Sequence, residues 1–185
     1  MKEMKTLVLN IKIIATMFAI MAGGFMIVGR AQKPTDDITR LKEKFESCKM
    51  LTVGQDELGY AIKVPDFFQQ KPSDELYTLH YSYEDEASDL RFFVSSFVTD
   101  AEGLDAETAV KEFTQEATLL FKEIGPDYYI IEEPMEEGDE YVDLDKSFFI
   151  GRYCLSLHFF FPKNYRRAVQ RYIDIVKAWN PYPEE

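Results

Sequence analysis

The stretch that most constrains the fold is residues 152–161, where large apolar side chains occupy every second position. They are Tyr153, Leu155, Leu157, Phe159 and Phe161. A period of two places such side chains on one face of a β-strand. Pro162 ends the strand, because proline has no N–H to donate to a neighbouring strand. The chain therefore contains a strand that must bury one apolar face against a second layer.

Other segments carry comparable strand signals, and three carry helical spacing of their apolar residues. The strand signals lie at residues 59–64, 76–84, 90–99 and 128–131, and residues 141–161 hold one long strand or two shorter ones with Gly151 as a bend. The helical segments are residues 38–48, 105–124 and 164–179. Strands that occur in runs between helices are typical of an α+β fold. We therefore predict an antiparallel sheet with amphipathic helices packed against it.

Three local predictions follow from these patterns. The strands at 59–64, 76–84 and 90–99 should form an antiparallel meander. The clearest helix should run from 105 to 124, with Asp105 as its N-cap and Gly125-Pro126 as its end. The first helix should pack at the edge of the domain, and Asn164 should cap the last one.

The N-terminal 31 residues resemble a targeting segment rather than part of the fold. A basic start is followed by 16 uncharged residues, 13–28, and by Gly29-Arg30-Ala31. This order is typical of a secretory signal peptide cleaved after Ala31. The alternative is an uncleaved anchor, although the run is shorter than the roughly 20 residues that span a bilayer. We predict a signal peptide or anchor at 1–31, a linker and short helix at 32–51, and a single α+β domain at 52–185.

The balance of charge limits the classes of partner. The formal net charge of -12 argues against nucleic acid and anionic membrane surfaces, since both are polyanions that attract Lys and Arg. In either interpretation of the leader the protein is exported, to the periplasm or outside the cell. Membrane attachment is expected only if the leader stays uncleaved.

Residues 132–145 form an acidic segment, and residues 132–140 are expected to be a hairpin loop. Its carboxylates are Glu132, Glu133, Glu136, Glu137, Asp139, Glu140, Asp143 and Asp145. Asp143 and Asp145 share a strand face, so a hard cation such as calcium is a candidate ligand for that pair. The segment lacks a calcium-loop motif, however, and the alternative is a solvated hairpin that protects a hydrophobic strand.

The two histidines and two cysteines are the remaining candidates for chemistry. His80, His158 and Cys154 fall on the polar faces of predicted strands, where adjacent strands would make them a nucleophile and base cluster. Cys154 and His158 are about 13 Å apart along one strand, which favours structural histidines under helices instead. Cys48 and Cys154 would form a disulfide if the compartment is oxidising, or else remain small buried residues.

The pattern over roughly residues 52–180 resembles the PsbP-like fold, which includes envelope proteins of the DcrB type. The matching features are an opening strand with a proline turn at residues 60–68, a long helix after the first strands, and residues 155–163 followed by a helix that ends near Trp179. The resemblance implies a binding or accessory module rather than an enzyme. It carries over no functional residue, because no diagnostic motif matches.

The sequence thus favours an exported, non-catalytic protein of the cell envelope that binds an unknown protein or small ligand. No cofactor is expected other than calcium at Asp143 and Asp145. The alternatives are a cation-binding accessory protein and a hydrolase whose site is assembled from distant residues.

Overall fold

The computed structural model describes residues 34–55, 58–73, 78–114, 118–135 and 140–182. The helices in this part of the chain are α1 (Pro34–Ser47), α2 (Ala106–Phe113) and α3 (Gln170–Lys177). The strands are β1 (Met50–Gln55), β2 (Tyr60–Pro65), β3 (Gln69–Gln70), β4 (Leu79–Asp85), β5 (Leu90–Asp100), β6 (Phe121–Ile124), β7 (Tyr128–Pro134), β8 (Tyr141–Ile150) and β9 (Tyr153–Pro162). The predicted α+β class is confirmed. None of the described helices is long and apolar enough to cross a membrane.

The strands form two antiparallel sheets. The larger sheet has seven strands in the order β3-β4-β5-β9-β8-β7-β6, and β1 pairs with β2 in a separate ribbon. The long strands β5, β9 and β8 occupy the centre of the larger sheet. Their alternating side chains therefore define two distinct faces.

The first face is covered by α1, α3 and the β1–β2 ribbon, and it holds the main core. Phe159 packs edge-to-face on Tyr172 of α3, with ring centroids 4.8 Å apart. The Tyr172 hydroxyl donates to the Lys63 carbonyl at 2.7 Å, and Trp179 Nε1 donates to the Ala61 carbonyl at 2.8 Å. These two bonds join α3 and the segment just after it to the ribbon. Tyr172, Ile173 and Val176 of α3 are fully buried, as the helical spacing of apolar residues over 164–179 predicts.

The second face is covered in part by α2. Ala106, Ala109 and Val110 of this short helix are fully buried against Tyr129 and Ile131 of β7. The helix begins at the predicted N-cap, where the Asp105 carboxylate accepts a hydrogen bond from the Thr108 N–H at 2.7 Å. A cleft lies beside α2 on this face, and Tyr129 and Ile131 form part of its lining.

The predicted helix over residues 105–124 is too long. It ends at Phe113, and residues 121–124 form β6, which pairs with β7. The Gly125 N–H donates to the Tyr128 carbonyl at 2.8 Å, so Gly125-Pro126 lies in a hairpin turn rather than at a helix end. Glycine and proline occur at both kinds of boundary, and Phe121 and Ile124 are three residues apart, which is a helical spacing.

Three further predictions need correction. The strand at 59–64 is not part of a meander, because β2 pairs with β1, a strand that the sequence patterns do not predict. Helix α1 is not peripheral, since its Leu41 and Phe45 are fully buried in the main core. Asn164 lies in a 3₁₀ turn (Lys163–Tyr165), and α3 starts after Val169 with no side-chain cap. The 141–161 segment forms two shorter strands, which is one of the two arrangements predicted for it, with Gly151 at φ +63° in the turn between them.

Candidate functional site

The cleft beside α2 is the best candidate for a site in the described part of the chain. It has a volume of about 130 Å³. Its apolar walls include Phe97, Leu104, Ile131 and Phe149. Its polar lining consists of Thr99, Tyr129, Glu133, Asp143, Asp145, Cys154, Ser156 and His158. A concave apolar pocket with a few converging polar groups is the usual form of a ligand site.

Strand register brings the polar residues of the cleft together. His158 of β9 lies directly opposite Asp145 of β8, and Asp145 lies opposite Ile131 of β7. On its other side His158 lies opposite Ser95 of β5. Because side chains alternate, these residues and those two positions away project from the same face. The face opposite to α3 is therefore lined by imidazole, carboxylates and hydroxyls.

His158 is held between two carboxylates. Its Nδ1 lies 3.0 Å and 3.1 Å from the two oxygens of Asp143, and its Nε2 lies 3.6 Å from Oδ1 of Asp145. Two phenylalanines stack on the ring, Phe97 at a centroid distance of 5.1 Å and Phe160 at 5.8 Å. The carboxylates fix the direction of the nitrogens, and the aromatic rings fix the plane of the imidazole.

This environment favours the charged form of His158. Burial opposes protonation, but the carboxylates of Asp143 and Asp145 outweigh it and raise the pKa of His158 to about 9. The carboxyl group of Asp145 is also buried, and burial raises its pKa. The Tyr129 hydroxyl donates to Asp145 Oδ2 at 2.7 Å, and burial raises the pKa of Tyr129 well above its ordinary value. The carboxylates thus favour the protonated form of His158 over the neutral form.

A chain of hydroxyl groups continues from Asp145 into the cleft. Ser147 Oγ donates to Asp145 Oδ1 at 2.8 Å and lies 2.7 Å from Ser156 Oγ. Cys154 Sγ lies 3.7 Å from the same Ser156 oxygen. Burial raises the pKa of the Cys154 thiol to about 12, so the thiol stays protonated. These groups satisfy one another, which rigidifies this side of the cleft.

The predicted acidic segment is divided between both faces of the sheet. Glu133, Asp143 and Asp145 line the cleft, as expected for the two aspartates from their spacing. Glu132 lies on the opposite face, only 1% exposed, where it pairs with Arg166 and with Lys177 at 2.8 Å. Both glutamates belong to β7, so the predicted loop over 132–140 starts too early. Residues 136, 137 and 139 lie outside the described part of the chain.

The histidines and cysteines do not form the cluster considered from the sequence. His80 of β4 and His158 of β9 both pair in register with Ser95 of β5. The two histidines therefore lie on opposite sides of that strand and are not in contact. Burial lowers the pKa of His80, which stacks on Phe93. Cys48 and Cys154 are both free thiols here, and no bond joins them. Cys48 lies at the end of α1 near Arg171, while Cys154 lies in the cleft.

Most partners of His158 are not predicted by the sequence patterns, although one signal is present. Taking Gly151-Arg152 as a two-residue hairpin turn pairs Ile150 with Tyr153, and that register places Asp145 opposite His158. The same turn places Asp143 opposite Phe160. No such local signal existed for Phe97, because β5 is far away in sequence.

The described residues contain no group of three or more His, Cys, Asp or Glu side chains arranged to hold a metal ion. Each nitrogen of His158 faces a different carboxylate, so the imidazolium already supplies positive charge between Asp143 and Asp145. Calcium at this pair stays a prediction.

Comparison with known proteins adds an architectural similarity. No family model and no curated protein matches the chain. Among solved structures, the chain is similar to the solution structure of cyanobacterial PsbP from Synechocystis sp. PCC 6803. The two share 14% sequence identity with a TM-score of 0.49, over 71% of this chain and 91% of that chain. The similarity concerns architecture alone.

Proposed function

We propose that the chain is an exported, non-catalytic binding or accessory protein of the cell envelope that holds a small ligand in the cleft beside α2. The observation that carries the proposal is the cleft itself, whose apolar walls surround a polar lining that is already ordered by its own hydrogen bonds. Preorganised groups bind a ligand with little ordering cost.

The states of the polar groups support binding over covalent catalysis. A nucleophile must be activated by a neighbouring base or by a lowered pKa. The pKa of Cys154 is instead raised to about 12 by burial. His158 faces carboxylates through both nitrogens and has a pKa of about 9, so it is already protonated at neutral pH and cannot act there as a base. Neither Cys154 nor His158 is therefore in the protonation state that a nucleophile or a general base would need.

Export is supported by the sequence of residues 1–31, which lie outside the described part of the chain. The full-length chain should be expressed with its own leader, the cells fractionated and the product weighed by mass spectrometry. We expect an exported product that starts at Gln32. A product that remains in the cytosol would refute export, whereas an exported product with an intact N-terminus would indicate an anchor.

Ligand binding is tested by blocking the cleft. A fragment panel of cationic, anionic and neutral compounds would be screened by NMR against protein purified from expression of the full chain. Leu104→Trp fills the cleft, and the matched control Leu51→Trp places the same group on an exposed site of β1, where Leu51 is 47% exposed. We expect chemical-shift changes at the cleft that are lost in the first variant and kept in the control. Equal binding by both variants would contradict the proposal.

Cation binding is the second candidate, because Asp143 and Asp145 do line the same cleft. A rise in melting temperature with millimolar calcium, absent in Asp143→Asn, would support it. An unchanged melting temperature would count against it.

A further inference from the structure

The balance of charge in the cleft indicates which class of ligand it accepts. Among the described residues that line the cleft there is no Lys and no Arg. Three carboxyl groups, those of Glu133, Asp143 and Asp145, face one imidazolium, that of His158. An anionic ligand would therefore meet a surplus of negative charge in a site of low dielectric, where repulsion between charges is strong.

Two of these carboxyl groups lie on neighbouring strands in direct opposition. Glu133 of β7 pairs in register with Asp143 of β8. Side chains at such positions have Cβ atoms about 4.5–5.5 Å apart, and like charges placed there are destabilising. Glu133 also contributes to the raised pKa of His158, so its charge acts on the interior of the cleft. An ammonium group between Glu133 and Asp143 would donate a charge-assisted hydrogen bond to each carboxylate.

The walls of the cleft favour an organic cation over a metal ion. Calcium prefers six to eight oxygen ligands, whereas an ammonium group needs only hydrogen-bond acceptors. The apolar side chains of Phe97, Leu104, Ile131 and Phe149 would contact a hydrocarbon body instead. The volume of about 130 Å³ compares with an engineered apolar cavity of about 150 Å³ that binds benzene. The cleft thus has room for a body about the size of one aromatic ring.

We infer that the cleft binds a small primary amine whose ammonium group lies between Glu133 and Asp143 and whose apolar body contacts Phe97 and Ile131. The inference rests on the proposed binding function and names its ligand class. Lengthening an alkylamine should strengthen binding by about fourfold for each methylene that the walls bury. That gain should stop when the apolar part of the cleft is full.

The test compares benzylamine with benzyl alcohol and benzoate, which have the same ring and differ in charge. Binding to protein purified from expression of the full chain would be measured at pH 7 by calorimetry and by NMR shifts of the cleft residues. We expect benzylamine to bind at least about tenfold more tightly than either analogue, the factor that corresponds to one charge-assisted hydrogen bond. Glu133→Gln should remove that advantage, while Glu140→Gln, the same change at an exposed position of the same segment, should leave it within about twofold.

The outcomes separate this inference from the proposed function. Tighter binding of benzoate or benzyl alcohol in the cleft would overturn the amine inference and leave a binding function in place. If no probe shifts the cleft resonances, the amine inference fails, and the fragment screen then decides the binding function independently. Equal losses in Glu133→Gln and Glu140→Gln would show attraction to the acidic surface in general and would also overturn it. If Glu133→Gln does not fold, the comparison of benzylamine, benzyl alcohol and benzoate on the unaltered protein still tests the amine inference.

Discussion

Protonation of His158 should make the stability of the protein depend on pH in the alkaline range. The imidazole has an ordinary pKa of 6.5, and in the folded protein the pKa is about 9 because Asp143 and Asp145 outweigh the opposing effect of burial. The folded protein thus keeps a proton that the unfolded chain releases. The resulting stabilisation is fully present below pH 6.5 and is lost as the pH rises through about 9.

The size of the effect follows from the two pKa values. The gap between 6.5 and about 9 corresponds to about 3 kcal/mol, at about 1.36 kcal/mol per pKa unit. His158 is only 8% exposed, so solvent screens the pair little. We therefore expect the free energy of unfolding to fall by about 3 kcal/mol between pH 6.5 and pH 9.5.

The assay is urea unfolding at constant ionic strength, followed by the fluorescence of Trp179, the only tryptophan. Cys154 also contributes near pH 9, because the buried thiol keeps its proton after an unfolded one has lost it. Asp143→Asn separates the contribution of His158 from that of Cys154, because it removes the carboxylate that faces His158 Nδ1 and leaves Cys154 unchanged. The pH dependence should be smaller in this variant than in the unaltered protein.

NMR titration of the His158 ring gives its pKa directly, and His80 provides an internal contrast because burial lowers its pKa. A His158 pKa at or below 6.5 would refute the reasoning. So would a free energy of unfolding that stays constant from pH 6.5 to pH 9.5.

Three further predictions concern other parts of the structure. Glu132→Gln should lower the free energy of unfolding by about 3–5 kcal/mol in urea unfolding, because the buried carboxylate is paired with Arg166 and Lys177; a loss below about 1 kcal/mol would contradict this. Asp105→Ala should cost about 1 kcal/mol in the same assay through loss of the α2 N-cap, and an unchanged midpoint would exclude that role. Cys154 should resist iodoacetamide at pH 8 in the native protein and react once it is unfolded, as read by mass spectrometry; rapid native labelling would disagree with its burial.

The alternation of apolar residues is sufficient to predict β9 and the face that it buries, whereas β1 and β6 are not predicted by it. Leu157 and Phe159 are in the main core, and His158 between them points the opposite way, as a period of two requires. The same spacing predicted that Asp143 and Asp145 share a face. These are local properties of the chain, so local sequence patterns predict them.

Long-range pairing could not be predicted from the same patterns. The stacking of Phe97 on His158 depends on β5 lying beside β9, which no local spacing specifies. The burial of Glu132 depends on Arg166 and Lys177, which lie more than thirty residues later in the sequence. From the sequence alone, a glutamate in an acidic run is expected to be exposed to solvent. Helix and strand were also confused at residues 121–124, where an edge strand carries few apolar residues.

The most direct test of the account is a site-resolved NMR titration of the full-length expression product with benzylamine at pH 7, with benzoate as the matched probe. The account predicts saturable shifts confined to the cleft, at Phe97, Ile131 and His158, for the amine and much weaker shifts for the carboxylate. Shifts scattered over the acidic surface, or a cleft that benzoate fills as readily as the amine, would contradict it.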